Sequence, residues 1–218
     1  MPLASEERDA VRLRDGTEVV IASLTSADAP RLAEAFARLS EESRQLRFLG
    51  PKPTLSSSEL RYLTEVDGHD HVALSAVDPG SGRAVGIGRF VRDRKNPERA
   101  EVAVTVADDW QGRGLGKLLL ARLSDRAREE GVRKFTALVS LENRNMQGLL
   151  HGLDTPAQIT RRSGGVAEYE IELAPRGLGA QLEEALRAAA AGRIQIPPRL
   201  CEVLRGIVPL HLDSRRVR

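Results

Sequence analysis

The chain has 218 residues with 41% hydrophobic and 3% aromatic content, which predicts one domain with an aliphatic core and an extension. Residues 1–173 carry 25 basic and 27 acidic side chains, so we expect no binding to nucleic acid, which requires a concentrated basic face. A single cysteine, an acidic N-terminus and the lack of an apolar run of roughly 20 residues favour a cytoplasmic protein without disulfides or a membrane partner.

The first half of the chain alternates short strands and helices. An Asp-Gly turn within residues 11–24 predicts a β-hairpin, and two apolar runs around Asp-Pro-Gly-Ser-Gly predict a second hairpin over 71–93. Capping residues and helical apolar spacing predict helices within 25–40 and 55–67. Between them, residues 41–53 break the helical pattern with Gly-Pro.

The second half contains one crossover and one more hairpin. An alternating strand begins near residue 101 and leads, through a glycine-rich stretch, into a helix that ends near Glu130. A buried strand over 134–141, a short helix over 143–153 and a hairpin over 157–173 follow. Hairpins combined with a strand–helix–strand crossover predict a mixed α/β sheet rather than a fully parallel one.

The composition changes after residue 173. An Ala-rich segment with an apolar stripe predicts a helical C-terminal extension over 174–218, interrupted by Pro197 and Pro198. We therefore expect two parts, a domain at 1–173 and this extension. The apolar stripe requires a surface to cover, and that surface is either the domain itself or a neighbouring subunit in a homodimer.

The glycine-rich stretch at residues 111–117, Gln-Gly-Arg-Gly-Leu-Gly-Lys, lies between a strand and a helix. Without side chains, successive backbone N–H groups can converge on an anion, and the helix N-terminus adds unpaired donors and partial positive charge. Arg113 and Lys117 add full charges. Leu118 after Lys117 provides no hydroxyl for magnesium, which excludes a nucleoside-triphosphate loop, and GxGxxG is not satisfied either. The stretch predicts a phosphate site.

This stretch resembles the Gln/Arg-x-x-Gly-x-Gly/Ala motif of the GNAT superfamily of acetyl-CoA-dependent N-acetyltransferases. The context of the stretch also fits this family: the strand Glu-Val-Ala-Val-Thr-Val precedes it, and Glu-Asn-Arg-Asn-Met follows the next strand. The resemblance covers roughly residues 11–173. Residues 39–67 and 101–116 look most like the bacterial protein-lysine acetyltransferase branch. The resemblance implies a splayed mixed sheet flanked by helices, in which the strand at 101–106 parts from its neighbour at 135–141.

The resemblance also implies acetyl-CoA as co-substrate and no metal. The pantetheine arm would pair with backbone at residues 104–106, and the diphosphate would lie on the N–H groups of residues 111–117. An asparagine after the second strand, Asn143 or Asn145, would contact the cofactor. The implied cofactor-binding residues are Val104, Thr105, Val106, Gln111, Gly112, Arg113, Gly114, Leu115, Gly116, Lys117, Asn143 and Asn145.

An amine acceptor must lose a proton before it attacks a thioester. A lysine with a pKa of about 10.4 is neutral in only about one molecule in 2,500 at pH 7, a deficit near 4.6 kcal/mol. A general base contributes about 10²- to 10⁴-fold. Strand alternation places Val102 and Val104 on the core face and Glu101 on the other. Because the family carries a catalytic glutamate on this strand, Glu101 is the candidate base; the alternative is an ordinary solvent-facing charge.

Two catalytic groups of the family, the oxyanion donor and the general acid, are not marked by a side chain in this sequence. The resemblance implies a backbone N–H near Val104 as donor to the developing oxyanion. Many relatives also carry a tyrosine in the helix after the asparagine, which protonates the departing thiolate, and this helix has none. Tyr169 is out of register and Tyr62 is far upstream. Either the thiolate leaves unassisted, or His151 or water assists it.

The expected function is transfer of acetyl from acetyl-CoA to a primary amine, with protein lysine slightly favoured over a small amine. The missing tyrosine keeps a second hypothesis open, a regulatory module that binds acyl-CoA without turnover. Arg47 and Phe48 border the acceptor cleft in relatives and serve either specificity or packing. Trp110 is expected to anchor the loop by packing. His69 and His71 lie in a polar loop that is not expected to hold a metal.

Overall fold

The structure, a computed structural model, describes residues 9–153 and 157–173; the predicted helical extension lies outside them. In this part, eight strands form one sheet: β1 Asp9–Arg12, β2 Glu18–Ser23, β3 His71–Val77, β4 Ala84–Arg92, β5 Arg99–Val106, β6 Lys134–Ser140, β7 Gln158–Ser163 and β8 Val166–Glu172. Five α-helices accompany the sheet: α1 Ala29–Arg38, α2 Glu41–Phe48, α3 Ser57–Thr64, α4 Leu115–Glu129 and α5 Arg144–His151. None of these helices combines the length and the apolar character needed to cross a bilayer.

The sheet has the strand order β1-β2-β3-β4-β5-β6-β8-β7. Every neighbouring pair is antiparallel except β5 and β6, which run parallel because α4 carries the chain across between them. The three predicted hairpins are present as β1–β2, β3–β4 and β7–β8. The prediction of a mixed α/β sheet is therefore confirmed.

The sheet opens between its two parallel strands. Pairing between β5 and β6 is confined to Arg99 with Lys134, Ala100 with Phe135 and Glu101 with Thr136. Both strands continue beyond this point, to Val106 and Ser140 respectively. The strands therefore part after Glu101, and this splay is the gap that the family resemblance implied.

Helix α2 occupies residues at which the sequence pattern indicated a break. Ser40 caps this helix, since its hydroxyl accepts a hydrogen bond of 3.1 Å from the N–H of Ser43, and two glutamates occupy the first turn. The helix ends at Phe48, and the next residue, Leu49, has a left-handed φ of 56° directly before Gly50. The Gly-Pro sequence thus ends a short helix rather than excluding one.

Two glycines of β4 set the distance between the sheet and α4. A Cβ atom at Gly88 would lie 2.8 Å from Cδ1 of Leu123, and one at Gly86 would lie 3.0 Å from Cδ1 of Leu119. Both leucines are fully buried, in a core that also includes Phe90, Phe135 and Tyr169. Close packing of α4 on β4 fixes where the N-terminus of α4 lies relative to the end of β5.

Candidate functional site

The turn between β5 and α4 has the backbone form of an anion-binding cradle. Gly112 and Gly114 have φ angles of 75° and 89°, a conformation that residues with side chains rarely adopt. Gly114 is the N-cap of α4 and provides no side-chain cap, so the first N–H groups of the helix have no partner from that residue. These donors, together with the positive end of the helix dipole, face the space in front of the turn.

A groove of about 550 Å³ lies over this cradle; we call it the glycine-side groove. It is bounded by the end of β5, the cradle, α2 and α5. With the exception of Arg113, all the cofactor-binding residues expected from the sequence line this groove. They are Val104, Thr105, Val106, Gln111, Gly112, Gly114, Leu115, Gly116, Lys117, Asn143 and Asn145.

Arg113 does not line the groove, which differs from the expectation. Its guanidinium lies 4.9 Å from the centre of the Trp110 ring and donates a 2.9 Å hydrogen bond to the backbone oxygen of Asp109. Trp110 itself packs against the core, as expected of an anchor. Arg14 lines the groove instead, and a Cβ atom added at Gly114 would lie 3.9 Å from the Arg14 side chain. No spacing in the sequence links Arg14 to the cradle.

Some expected cofactor residues also serve packing or capping. The side chain of Leu115 is 1% exposed, so only its backbone can face a ligand. A Cβ atom at Gly116 would lie 2.9 Å from Cδ1 of Leu149, so glycine at this position allows α4 and α5 to approach each other. Oδ1 of Asn143 caps α5 by accepting a 2.9 Å hydrogen bond from the N–H of Met146.

Polar contacts tie α2 and α5 to the turn that follows β5. The carboxylate of Asp108, in the turn after β5, accepts hydrogen bonds from the N–H and hydroxyl of Ser40, at 2.8 and 2.9 Å, and from the hydroxyl of Ser43 at 2.5 Å. Nδ2 of Asn145 donates a 3.0 Å hydrogen bond to Oε1 of Gln111. Helices α2 and α5 are thereby held on either side of the cradle.

The glycine-side groove continues through the splayed sheet to Glu101. The gap between β5 and β6 encloses about 240 Å³ and shares Val104, Asn143 and Met146 with the groove. At its other end the gap shares Glu101 with a third space of about 760 Å³, which we call the Glu101 cavity. A continuous path therefore leads from the anion cradle, through the gap, to a carboxylate.

Glu101 lies on the face of β5 that the alternation predicted. Its side chain is exposed, whereas that of Val102 is buried. Arg89 of β4, 7% exposed, and Arg47 of α2, half-buried, line the same cavity. Burial lowers the pKa of both guanidinium groups; for Arg89 the neighbouring Tyr62 and then Glu101 partly offset this effect, and for Arg47 Glu101 does so. Arg89 was not among the residues predicted from the sequence, although a single charged residue inside an apolar strand is an available indicator.

Residues 36–153, more than half of the chain, match the model of the Acetyltransferase (GNAT) family. The chain belongs to the GNAT acetyltransferase family. The matched residues include the cradle, both strands that border the gap and Glu101.

Individual GNAT relatives are similar over most of the domain. Acetyltransferase Pat of Mycolicibacterium smegmatis is 34% identical over 166 residues, which are 76% of this chain but only 49% of Pat. Acetyltransferase PA5475 of Pseudomonas aeruginosa is 37% identical over 139 residues, 63% of this chain and 74% of PA5475. The crystal structure of the GNAT domain of S. lividans PAT superposes with a TM-score of 0.70 at 32% identity, covering 76% of this chain and 96% of that domain. This chain thus spans about half the length of Pat, and the similarities agree with the branch that the sequence resembles.

Of the two tyrosines and His151, Tyr62 takes a position that the sequence did not indicate, whereas Tyr169 lies in the last strand and His151 at the surface, as expected. Tyr62, on α3, lines the Glu101 cavity and is 57% exposed, although it is far upstream in the chain. Tyr169 belongs to the core. Nδ1 of His151 lies 2.7 Å from the backbone oxygen of Gln147, and its ring packs edge-on against Tyr169. Among the described residues, those that line the gap include neither a tyrosine nor a histidine.

The two histidines of the polar loop point to different surroundings. Nδ1 of His69 lies 3.1 Å from Oε2 of Glu130, whereas the ring of His71 is buried 5.3 Å from the Tyr62 ring. Burial, with a contribution from Arg89, lowers the pKa of His71 to about 4. Within residues 9–153 and 157–173, no three His, Cys, Asp or Glu side chains come together in a way that could hold a metal ion.

Proposed function

We propose that this chain is an acetyl-CoA-dependent N-acetyltransferase that acts on a primary amine, with the activity carried by residues 1–173. One observation carries the proposal: a continuous path joins the cradle at Gly114, through the gap between β5 and β6, to the carboxylate of Glu101. Membership of the GNAT family supports it. In this arrangement the cofactor and the amine approach each other from opposite ends of the path.

The described residues fit a cofactor with a diphosphate and an extended amide-containing arm. The uncapped N–H groups that follow Gly114, with Lys117 and Arg14 beside them, would hold the diphosphate. Beyond Glu101 the edge of β5 that faces the gap has no strand partner in the described part of the chain, so backbone at residues 104–106 would pair with the arm; the oxygen of Val106 accepts a 3.3 Å hydrogen bond from Nε2 of Gln111, which the arm would have to share or displace. Acetyl-CoA supplies the thioester that the reaction consumes.

Glu101 is the proposed general base. Its carboxylate would accept the amine proton, directly or through one water molecule, while the C–N bond forms and the C–S bond breaks. A backbone N–H near Val104 is the proposed donor to the carbonyl oxygen as negative charge develops on it. Since no described tyrosine or histidine lines the gap, the thiolate would leave unassisted and take its proton from solvent.

Protein lysine is the favoured acceptor over a small amine. Three large apolar side chains on the rim of the path are exposed to solvent, with fractions of 39% for Leu49, 57% for Tyr62 and 52% for Leu138. Clustered exposed apolar side chains favour contact with another polypeptide. The resemblance of the chain to the protein-lysine acetyltransferase branch supports the same choice.

Calorimetric titration with acetyl-CoA, combined with an assay of free-thiol release over a panel of peptides and small amines, tests the proposal. We expect saturable binding and thiol release that depends on the acceptor. Binding without release on any acceptor would instead support a regulatory acyl-CoA-binding module. Mass spectrometry of acetylated lysines in a matched deletion strain would then identify the natural acceptors.

A further inference from the structure

We propose that the acceptor lysine of this protein has an acidic side chain next to it in the polypeptide, and that Arg47 and Arg89 recognise this acidic neighbour. The inference rests on the proposed function and deepens it, because it states the chemistry of the acceptor. It is carried by the charges that line the Glu101 cavity and by the exposed apolar rim around them.

The two arginines lack carboxylate partners in the described structure. The Arg89 guanidinium lies 4.8 Å from the centre of the Tyr62 ring, and that of Arg47 lies 5.1 Å from the centre of the Phe48 ring. Neither makes a salt bridge within 4.0 Å to a carboxylate of the described part. Aromatic rings lie beside both groups, and Arg89 also has a side-chain hydrogen bond with Tyr62, so what both guanidinium groups lack is a paired carboxylate rather than every polar contact.

The other charges around the cavity largely cancel. Arg99 pairs with Glu168 at 2.7 Å and Arg92 with Asp70 at 2.6 Å, while Glu59 pairs with Lys52. Exposed Arg161 and half-buried Asp93 lie on the rim with opposite charges. After these cancellations, two guanidinium groups stand against the single carboxylate of Glu101, so the wall carries a net positive charge.

A net positive wall disfavours a bare ammonium group. A carboxylate beside the acceptor amine would compensate, since guanidinium and carboxylate form charge-assisted hydrogen bonds, often two in parallel. That carboxylate could belong to an acidic residue next to the lysine or to a small amino acid. The exposed rim side chains, Tyr62 and Leu138, favour the polypeptide because a small amine would leave them uncovered.

Matched peptides with one lysine flanked on both sides by Glu, Gln or Arg test the inference. With the wild-type chain, we expect kcat/KM to be at least about tenfold higher for the Glu peptide than for the Gln peptide, mainly through KM, and lowest for the Arg peptide. Arg47→Met keeps the apolar stem and should reduce the Glu-over-Gln preference to less than about threefold. Arg89→Lys keeps the charge but loses the planar pair of donors, so it should weaken the preference to an intermediate value, whereas the control Arg83→Gln on the exposed β3–β4 turn should retain it in full.

Each other outcome overturns a different statement. Equal use of the Glu and Gln peptides overturns the inference but leaves the proposed function standing, because thiol is still released. If free lysine is preferred over lysine amide and all peptides are inert, the carboxylate belongs to a small molecule. That result would overturn the statement that the acceptor is a polypeptide. Binding of acetyl-CoA with no release on any acceptor would overturn the proposed function itself.

Discussion

Nδ2 of Asn145 donates a 3.0 Å hydrogen bond to Oε1 of Gln111 and so joins the helix after β6 to the turn after β5. The two strands between these points have already parted, since their last pair is Glu101 with Thr136. A side-chain bridge therefore spans the open end of the gap, where backbone pairing has ended. The gap is thus bounded at one end by the last backbone pair and at the other by this side-chain hydrogen bond.

Gly114→Glu should abolish acetyl-CoA binding, because the new carboxylate would occupy the cradle and repel the diphosphate. Gly82→Glu is the matched control: Gly82 also has a positive φ, 68°, but lies in the β3–β4 turn, away from the groove. Each variant should lose about 1–2 kcal/mol of unfolding free energy from backbone strain. Calorimetric titration should show binding only for the control; loss of binding in both variants would indicate a folding effect.

Glu101→Gln should retain affinity for acetyl-CoA and lower turnover by at least about tenfold, because the amide cannot accept the amine proton. Glu101→Asp should also lose turnover, since it keeps the charge but withdraws the carboxylate from the cavity. The control is Glu34→Gln, an exposed position on α1. Steady-state thiol release at neutral pH measures the effect, and unchanged turnover in Glu101→Gln would remove this residue from the role of base.

Asp108→Ala should loosen α2, because the Asp108 carboxylate accepts hydrogen bonds from the N–H and hydroxyl of Ser40 and from the hydroxyl of Ser43. We expect a loss of about 1–3 kcal/mol of unfolding free energy and weaker acetyl-CoA binding. Asp109→Ala, at the adjacent exposed position, should change stability by less than about 0.5 kcal/mol. Denaturant unfolding and titration of both variants measure the difference, and identical behaviour would show that α2 does not depend on Asp108.

His71→Phe should alter how stability depends on pH. In the folded chain burial lowers the pKa of His71 to about 4, below its unfolded value of 6.5, so the unfolded state binds the proton first as pH falls. The contribution to stability is complete above about pH 6.5 and is lost progressively down to about pH 4, by up to roughly 3 kcal/mol. The Nε2 atom of His71 has no hydrogen-bond partner, so phenylalanine removes none there. Denaturant unfolding between pH 4 and 7 should therefore show a smaller slope for the variant; equal slopes would contradict the assignment.

Several features of this protein are local enough to be predicted from the residues alone. The Asp-Gly turn and alternating strands predict the hairpins, and Gly112 and Gly114 between a strand and a helix predict the cradle. Alternation along β5 also predicts the face on which Glu101 lies. In each case the physical cause, a backbone conformation or a side-chain period, acts over a few neighbouring residues.

Other features arise only when distant segments meet. The strand order brings β4 beside β5, which places Arg89 near Glu101, while the first hairpin brings Arg14 to the cradle and α3 brings Tyr62 to the cavity. Arg113 turns away because the Trp110 ring, the backbone oxygen of Asp109 and the carboxylate of Asp15 hold its guanidinium. The local pattern accordingly specified the glycine cradle and the face of β5 on which Glu101, the proposed base, lies. The charge of the Glu101 cavity came from tertiary packing, since contacts between residues far apart in the chain leave no fixed spacing in its sequence.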